Sequence, residues 1–482
     1  MKSPLILRIQ TLVGVLSLAT SAAVAQDAPG FRAGTAVVDI SPTVFPIQLR
    51  SGPSHYVHDP LHVRAIAFEN GEGRAVIALV DAIGVGRETS DEAKAIVAEK
   101  TGWKSTEMLV CATHTHSAPK GGDTTPGRIA YEEKRFNGIV QALTGAIESL
   151  EPAKVGFAFD EEPSEVYNRR WFLKPGTMDP NPFGELDQVR TNAPRDNLLK
   201  PAGPTDPEVC VVDVRTRRGK ALGLIANYAL HYVGGIPKVE EEDGKIAGMA
   251  SADYFGEFAR IMPYRVGGAN PSDNFVAMMT NGASGDINNI DFYRKRAPRA
   301  PFEQVRVVAT KAADAAWRAV KKIEQYDEDP VVAMRQREVA LRYRTTTKTE
   351  VERDLKLLDL PRKEREKLHR RATQYANATV SYSEPDRTEN VIVQAIRIGD
   401  QAIVSMPFEV LVEIGLEIKD KSPFPHTFLI ELANGGYGYL PPPNQHELGG
   451  YETWIGTSRF EKDSSVILTR NLLEMAEELK TL

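Results

Sequence analysis

Short apolar runs alternate along this chain with longer stretches of helical periodicity. Residues 65–68 and 75–80 read as strands around Asn70-Gly71-Glu72-Gly73, a hairpin signal. A helix is expected over 89–100, capped by Thr89 or Ser90 and stopped by Gly102. Residues 108–111 form a fully apolar run and read as a buried strand, and an amphipathic helix follows over 131–150. A second hairpin joins 209–214 to 221–228 across 217–220, then a strand at 275–279 and a helix at 302–323. Residues 331–343 alternate as a strand does. The stretch 347–378 is charged and helical, broken near Pro361. Beyond it come a hairpin over 391–406 turning at Gly399-Asp400, a helix at 408–419, a strand at 428–432 and a helix at 464–479. Helices and hairpins mixed in this way predict an α/β fold, mixed β-sheets layered with helices. No internal repeat or linker divides the chain, so one large domain is expected.

Composition narrows the partners. The chain has 482 residues, 42% hydrophobic and 26% charged, with a formal net charge of -6. No basic block stands out and aromatics are only 7%, so no nucleic-acid partner is expected. Residues 1–25 read as a signal peptide: Lys2 and Arg8 lead, 12–19 are apolar, and Ala23-Val24-Ala25 fits a cleavage site. The mature chain, 26–482, would then be secreted or periplasmic. No later run approaches the ~18 apolar residues of a transmembrane segment, while peripheral contact with a membrane stays open. The two cysteines, Cys111 and Cys210, lie in strand-like runs, where buried free thiols are expected over a disulfide. They are too few for a cysteine zinc site, so any metal must be held by His, carboxylate or phenolate.

Candidate chemistry centres on Thr113-His114-Thr115-His116, directly after the 108–111 run. Residues i and i+2 of a strand share a face, so the two imidazoles are expected to project together from the strand's end. Such a pair suits two zinc ligands, or one ligand and one catalytic partner. His231, which follows a strand and precedes Gly234-Gly235, is the best third candidate, although a plain strand-end histidine has the same sequence appearance. His369 is expected to face solvent from the charged helix, while His55, His58, His62, His426 and His446 lie in polar loops or beside prolines. Glu409, at the turn from a strand into a helix, is either a ligand or base or a first-turn Glu favoured by the helix dipole. Tyr439 ends the glycine-rich loop 435–439, which can present a phenol to a cleft.

Taken together, these motifs resemble the neutral/alkaline, non-lysosomal ceramidase family of zinc amidases. Ala112-Thr113-His114-Thr115-His116-Ser117 is similar to the family's Thr-His-Thr-His-Ser motif. Arg32-Ala33-Gly34 through Val38-Asp39-Ile40-Ser41-Pro42 resembles its opening, and Ser284-Gly285-Asp286-Ile287 its Gly-Asp-Val loop. Tyr439 and Tyr451 keep the family's spacing, and the resemblance runs from about residue 32 to 475. It implies zinc held by His114, His231, Glu409 and Tyr439. It also implies His116, Arg169 and Tyr451 around the substrate carbonyl, with Glu409 moving the proton. The implied activity is hydrolysis of an N-acyl amide, a ceramide-like sphingolipid, by a zinc-activated water.

This chain departs from that pattern in three places. A serine of the family's Gly-Asp-Val-Ser loop is Asn288 here, and an amide cannot act as a nucleophile. No C-terminal immunoglobulin-like domain is expected, and a charged insertion spans about 347–386. That insertion reads as a solvated surface excursion, with a lid over the cleft as the other reading. Two further functions stay open: a zinc esterase or lyase acting on exported carbohydrate, and a non-catalytic ligand-binding relative. A lipid amidase should line its groove with Leu, Ile and Phe, and a carbohydrate enzyme with Trp, Tyr, Arg and Asn.

Overall fold

The computed structural model describes Met1 and residues 30–120, 124–240, 244, 246–267 and 274–482. Beyond Met1, the segment 1–25 expected to be a signal peptide falls outside the described residues.

Period-two alternation sorts each central strand's side chains between two layers. In Glu208–Thr216, Val209 and Val211 pack toward helices, while Cys210, Val212 and Val214 join a second core on the opposite face. The strand belongs to an eight-stranded sheet ordered Val276–Asn281, Ala221–Tyr228, Glu208–Thr216, Glu151–Glu161, Arg32–Asp39, His62–Asn70, Gly73–Val80 and Met108–Ala112. Helices Arg87–Thr101, Pro126–Glu148, Asp253–Gly267 and Glu303–Lys321 cover one face. The other face packs on a four-stranded sheet ordered Val332–Arg342, Thr388–Ile398, Gln401–Ser405 and His426–Ile430. Helices Val412–Lys421 and Ser464–Lys480 close the far side of that sheet. The result is helix, sheet, sheet, helix, as the mixed α/β pattern predicts. Cys111 and Cys210 lie as free thiols in the layer between the sheets.

Within the two large sheets three of the described strand pairs are parallel: Gly73–Val80 with Met108–Ala112, Ala221–Tyr228 with Val276–Asn281, and Gln401–Ser405 with His426–Ile430. Segments leaving the C-terminal ends of these strands are laced together. Asn281 Nδ2 donates to the Thr113 carbonyl over 3.0 Å, Glu431 N to the Asn281 carbonyl over 3.1 Å, and Asn434 N to the Val110 carbonyl over 2.7 Å. Loops at carboxyl ends of parallel strands are where α/β folds place ligands.

Several local expectations change. The helix after the first hairpin starts at Arg87 with Gly86 as its N-cap, because Ser90 is buried and its hydroxyl turns toward Asn434. The expected helix over 408–419 begins only at Val412. Glu409–Val410 is instead a short parallel strand against Tyr439–Leu440. Glu409 is therefore held by strand pairing, not by a helix dipole. The insertion forms three helices, Lys348–Leu358, Arg362–Leu368 and Ala372–Ser381.

Candidate metal centre and active site

The strand Met108–Ala112 stops before the histidines, so the i, i+2 rule does not set their directions. Thr113 N donates to the Val80 carbonyl over 2.9 Å while its own carbonyl takes Asn281, and His114 then enters the left-handed region at φ 61°. That turn swings the imidazoles into the cleft. Behind it Thr115 donates to Asp253 Oδ2 over 2.7 Å and Ser117 to Asp253 Oδ1 over 2.9 Å. The buried Asp253 thus grips the loop on both sides of His116. Burial pushes its carboxyl up to about 7, against the pull of the Thr115 and Ser117 hydroxyls.

Of the nine histidines, His114, His116 and His231 come together. Their ligand atoms all lie within 4.8 Å of one another. His114 Nδ1 sits 2.7 Å from the Ile83 carbonyl, which can only accept, so Nδ1 carries a proton and Nε2 turns toward Glu409. Burial acts to lower this imidazole, but Glu409 overcomes it and holds it above its usual value, and a metal at Nε2 would take the place of its second proton. Metal-binding histidines are oriented in this way. Glu409 Oε2 lies 3.4 Å from that Nε2 and 3.8 Å from His231 Nδ1, and it is a buried oxygen with no hydrogen-bond partner. Burial acts to raise the Glu409 carboxyl, but His114, the Tyr439 hydroxyl and Arg169 overcome it and hold it below its usual value. Burial pushes the His231 and His116 imidazoles well below theirs, helped by Arg169 and His114 at His231 and by His114 and Arg50 at His116. Both rings are therefore neutral, the form that binds cations.

The imidazoles also carry a donor conflict. Arg50 Nη1 lies 2.7 Å from His116 Nδ1, and Arg169 Nη1 lies 3.2 Å from His231 Nδ1. The two Nε2 atoms face each other at 2.8 Å. Arginine only donates and a neutral imidazole carries one proton. If both Nδ1 atoms accept, both Nε2 atoms bear protons and collide. No proton arrangement satisfies all three gaps, so at least one of these ring nitrogens lacks a hydrogen-bond partner within the protein. With the orphaned Glu409 oxygen, this makes the residues a fit for a metal ion.

Arg169 is the hub on the opposite side. Its Nε donates to Glu452 over 2.9 Å and its Nη2 to the Gly285 carbonyl over 2.6 Å and the Tyr439 hydroxyl over 2.9 Å. Glu452, fully buried, also takes Arg170 at 2.7 Å. Burial pushes the Tyr439 phenol well above its usual value. Gly285 must be glycine because a Cβ there would meet the Glu409 carbonyl at 2.7 Å. The glycine-rich loop works similarly: Gly438 has φ +86° and would meet the Thr457 carbonyl at 2.4 Å. Tyr451 packs edge-on to Tyr439, with ring centres 5.5 Å apart, and lines the same cavity. Asn288 lies in the cavity wall, where its amide donates to Asn192 over 2.8 Å and ties two loops.

His116, Arg169, His231 and Tyr439 border a cavity of about 580 Å³, within the ~300–1,000 Å³ of small-molecule sites. His369 was expected to face solvent, but it lines this cavity, its ring 5.9 Å from that of Trp454. The insertion therefore walls the cleft and is not a detached surface excursion. The remaining histidines serve elsewhere. His58 stacks on Phe302 at 3.5 Å and His426 lies 6.0 Å from Phe159, while His62 sits beside Arg64 and His446 is buried in the Pro443–Leu448 helix. Sequence reading missed Arg50, Asp253, Glu452 and the Ile83 carbonyl. Only Glu452 had a signal, its position beside Tyr451.

Two solved structures superpose on nearly the whole chain. A crystal structure of neutral ceramidase from Pseudomonas aeruginosa aligns at TM-score 0.68 and 16% identity, covering 95% of this chain and 75% of that one. This chain has the neutral ceramidase fold. A ceramidase complexed with C2 aligns at TM-score 0.67 and 16% identity, covering 94% and 75%. No protein-family model matches the sequence, and no curated protein matches it. The neutral ceramidase fold thus accounts for the layered architecture, and His114, His116 and His231 form a group that could hold a metal ion. Among the described residues no helix is long and apolar enough to cross a membrane.

Proposed function

We propose that this protein is an exported zinc-dependent amidase, with the metal held by His114, His231, Glu409 and Tyr439. The observation that carries the reading is the orphaned Glu409 oxygen facing two imidazole nitrogens beside a phenol held by Arg169. An all-nitrogen and oxygen donor set with one carboxylate suits zinc. Bound there, zinc would supply Lewis acidity and lower the pKa of a coordinated water. In hydrolysis, water adds across the amide C–N bond and yields a carboxylic acid and an amine. Glu409, held ionised, accepts the water's proton at a carboxylate oxygen and returns it to the departing nitrogen. His116 and Arg169 line the cavity and donate to the carbonyl oxygen as it gains charge, a contribution often worth ~3–4 kcal/mol per donor. Tyr451 borders the same space and orients the substrate. The leader-like start supports export, and the resemblance supports an N-acyl amide, ceramide included, as the scissile group.

Metal analysis together with an amide screen tests this. The purified protein should hold about one zinc per chain, lost with activity in His231→Ala and Glu409→Gln. His116→Ala should keep the metal and lose turnover. Loss of zinc from His116→Ala with retention in Glu409→Gln would replace the donor set by the three histidines. A metal-free protein that hydrolyses amides would end the proposal.

A further inference from the structure

We propose that the substrate carries an anionic group, a carboxylate or phosphate ester, and that the insertion's arginines bind it at the outer end of the cavity. This rests on the amidase reading and names its substrate class. The first observation is the lining. No Leu, Ile or Phe borders the cavity among the described residues; its apolar surface comes from scattered Met178, Val189, Val233 and Trp454, and Arg50, Arg190, Arg370 and Arg371 stand among them. A lipid tail needs a continuous aliphatic or Phe-lined path, because its binding energy is apolar burial. Guanidinium groups in a concave wall instead select planar or tetrahedral oxyanions.

The second observation is charge. The cavity's arginines outnumber its acids: Asp179 pairs with Arg190, while Asp187 keeps its charge and accepts from the neutral donors Trp454 over 2.8 Å and Asn181 over 3.0 Å. Arg169 is balanced by Glu452. Arg371 lies over the Tyr451 ring at 4.7 Å, and its neighbouring partners are the phenols of Tyr451 and Tyr375. The wall therefore holds surplus positive charge. Burial pushes His369 below its usual value, and the fields of Arg370, Arg371 and Arg190 push it the same way.

The third observation is that this connector is docked in place. His369, Arg370 and Arg371 join Arg362–Leu368 to Ala372–Ser381. Tyr375 packs edge-on to Trp454 at 5.2 Å and bonds Thr457 Oγ1 at 2.6 Å. A side wall fastened by aromatic contacts and presenting arginines inward is a recognition surface for an anion.

The test compares charged amides with neutral isosteres on the zinc-loaded full chain. N-hexanoyl-glycine is set against N-hexanoyl-glycinamide, N-butyl-succinamate against its amide, and N-hexanoyl-phosphoethanolamine against N-hexanoyl-ethanolamine. The first two pairs place a carboxylate on either side of the scissile bond, and the third asks for phosphate. At least one charged member should exceed its partner tenfold or more in kcat/KM. That ratio should fall at least tenfold in Arg370→Ala/Arg371→Ala, chiefly through KM, and shrink with salt. Calorimetric binding of the same compounds, in wild type and double variant, gives the second readout. If no amide is cleaved but charged members still bind the wild type in preference, the amidase reading fails and this inference stands. If neutral amides or a short-chain N-acyl sphingosine are cleaved as fast as charged ones, and the double variant leaves ratios and binding unaltered, the inference is overturned and the amidase reading stands.

Discussion

The two ends of one cavity are built on opposite plans. The inner end is a buried floor whose groups are fixed from behind: His114 by the Ile83 carbonyl, Arg169 by Glu452 and Gly285, the Glu409 backbone by strand pairing. The outer end is a wall of partly exposed arginines and edge-on rings contributed by the insertion and the Tyr451–Trp454 turn. Groups that stabilise developing charge must be fixed beforehand, since reorganisation during reaction would forfeit most of the gain. Groups that choose a substrate need only complement its charge and shape. The floor should therefore govern kcat, and the wall should govern KM and substrate choice.

The largest expected effect tests that division directly. Arg169→Met should lower kcat by about 10²–10³-fold, as for removal of an oxyanion donor, while zinc content holds. The same substitution leaves buried Glu452 with Arg170 and the Thr191 hydroxyl only, so the melting temperature should also fall. Trp454→Ala, which removes the ring that Tyr375 and His369 of the insertion pack against edge-on, should raise KM and change kcat only a few-fold. Steady-state kinetics with metal analysis decides. Equal kcat losses in both variants would erase the distinction between floor and wall.

Asp253→Asn should have a smaller effect. The amide keeps one acceptor for the Thr115 or Ser117 hydroxyl and turns a donor toward the other. The His116 loop should loosen, with kcat about tenfold lower and KM nearly unchanged. Asp253→Ala should lose more and also unfold earlier. A change confined to stability in both variants would make Asp253 structural only.

The layered architecture was legible because most strands obey simple period-two burial and most helices are amphipathic. Val209 and Val211 against Cys210, Val212 and Val214 show that rule at work. Site geometry was legible only in part. His114 and His116 stood out by type and spacing, yet a left-handed turn, not strand periodicity, aims them. Glu409 was picked out at its position, but its place in a parallel strand pair depends on Tyr439, thirty residues on (439 − 409 = 30). Asp253 and Glu452 act through contacts distant in sequence, at Thr115 and Arg169; no local pattern announces Asp253, and only its neighbour Tyr451 marks Glu452. His369 looked solvent-facing because its neighbours are charged. Those charges are what the cavity wall is made of.

The smallest effect concerns how far the rigid floor extends behind the histidines. Lys94, 1% exposed, points its amine at Asn434 Oδ1, which also accepts from Val110 N over 3.2 Å. Asn434 in turn donates to Gln394 over 2.7 Å. Burial pushes the amine down to about 7 from 10.5, with Asp91 opposing and Arg87 assisting. Between those two values the unfolded chain binds a proton at this site that the folded chain does not. Folding stability must then rise with pH across that window, at up to about 1.4 kcal/mol per pH unit. Below about pH 7 the amine is charged in both states and contributes no slope. Lys94→Met removes this dependence while filling the same volume. Urea midpoints for wild type and variant at pH 6 to 9 should diverge above neutrality, with wild type gaining. Parallel curves would mean that water reaches the amine, and that the floor ends in front of helix Arg87–Thr101 and not within it. The wall's arginines stay charged throughout this range, so its preference for anions should hold steady while the floor's stability climbs.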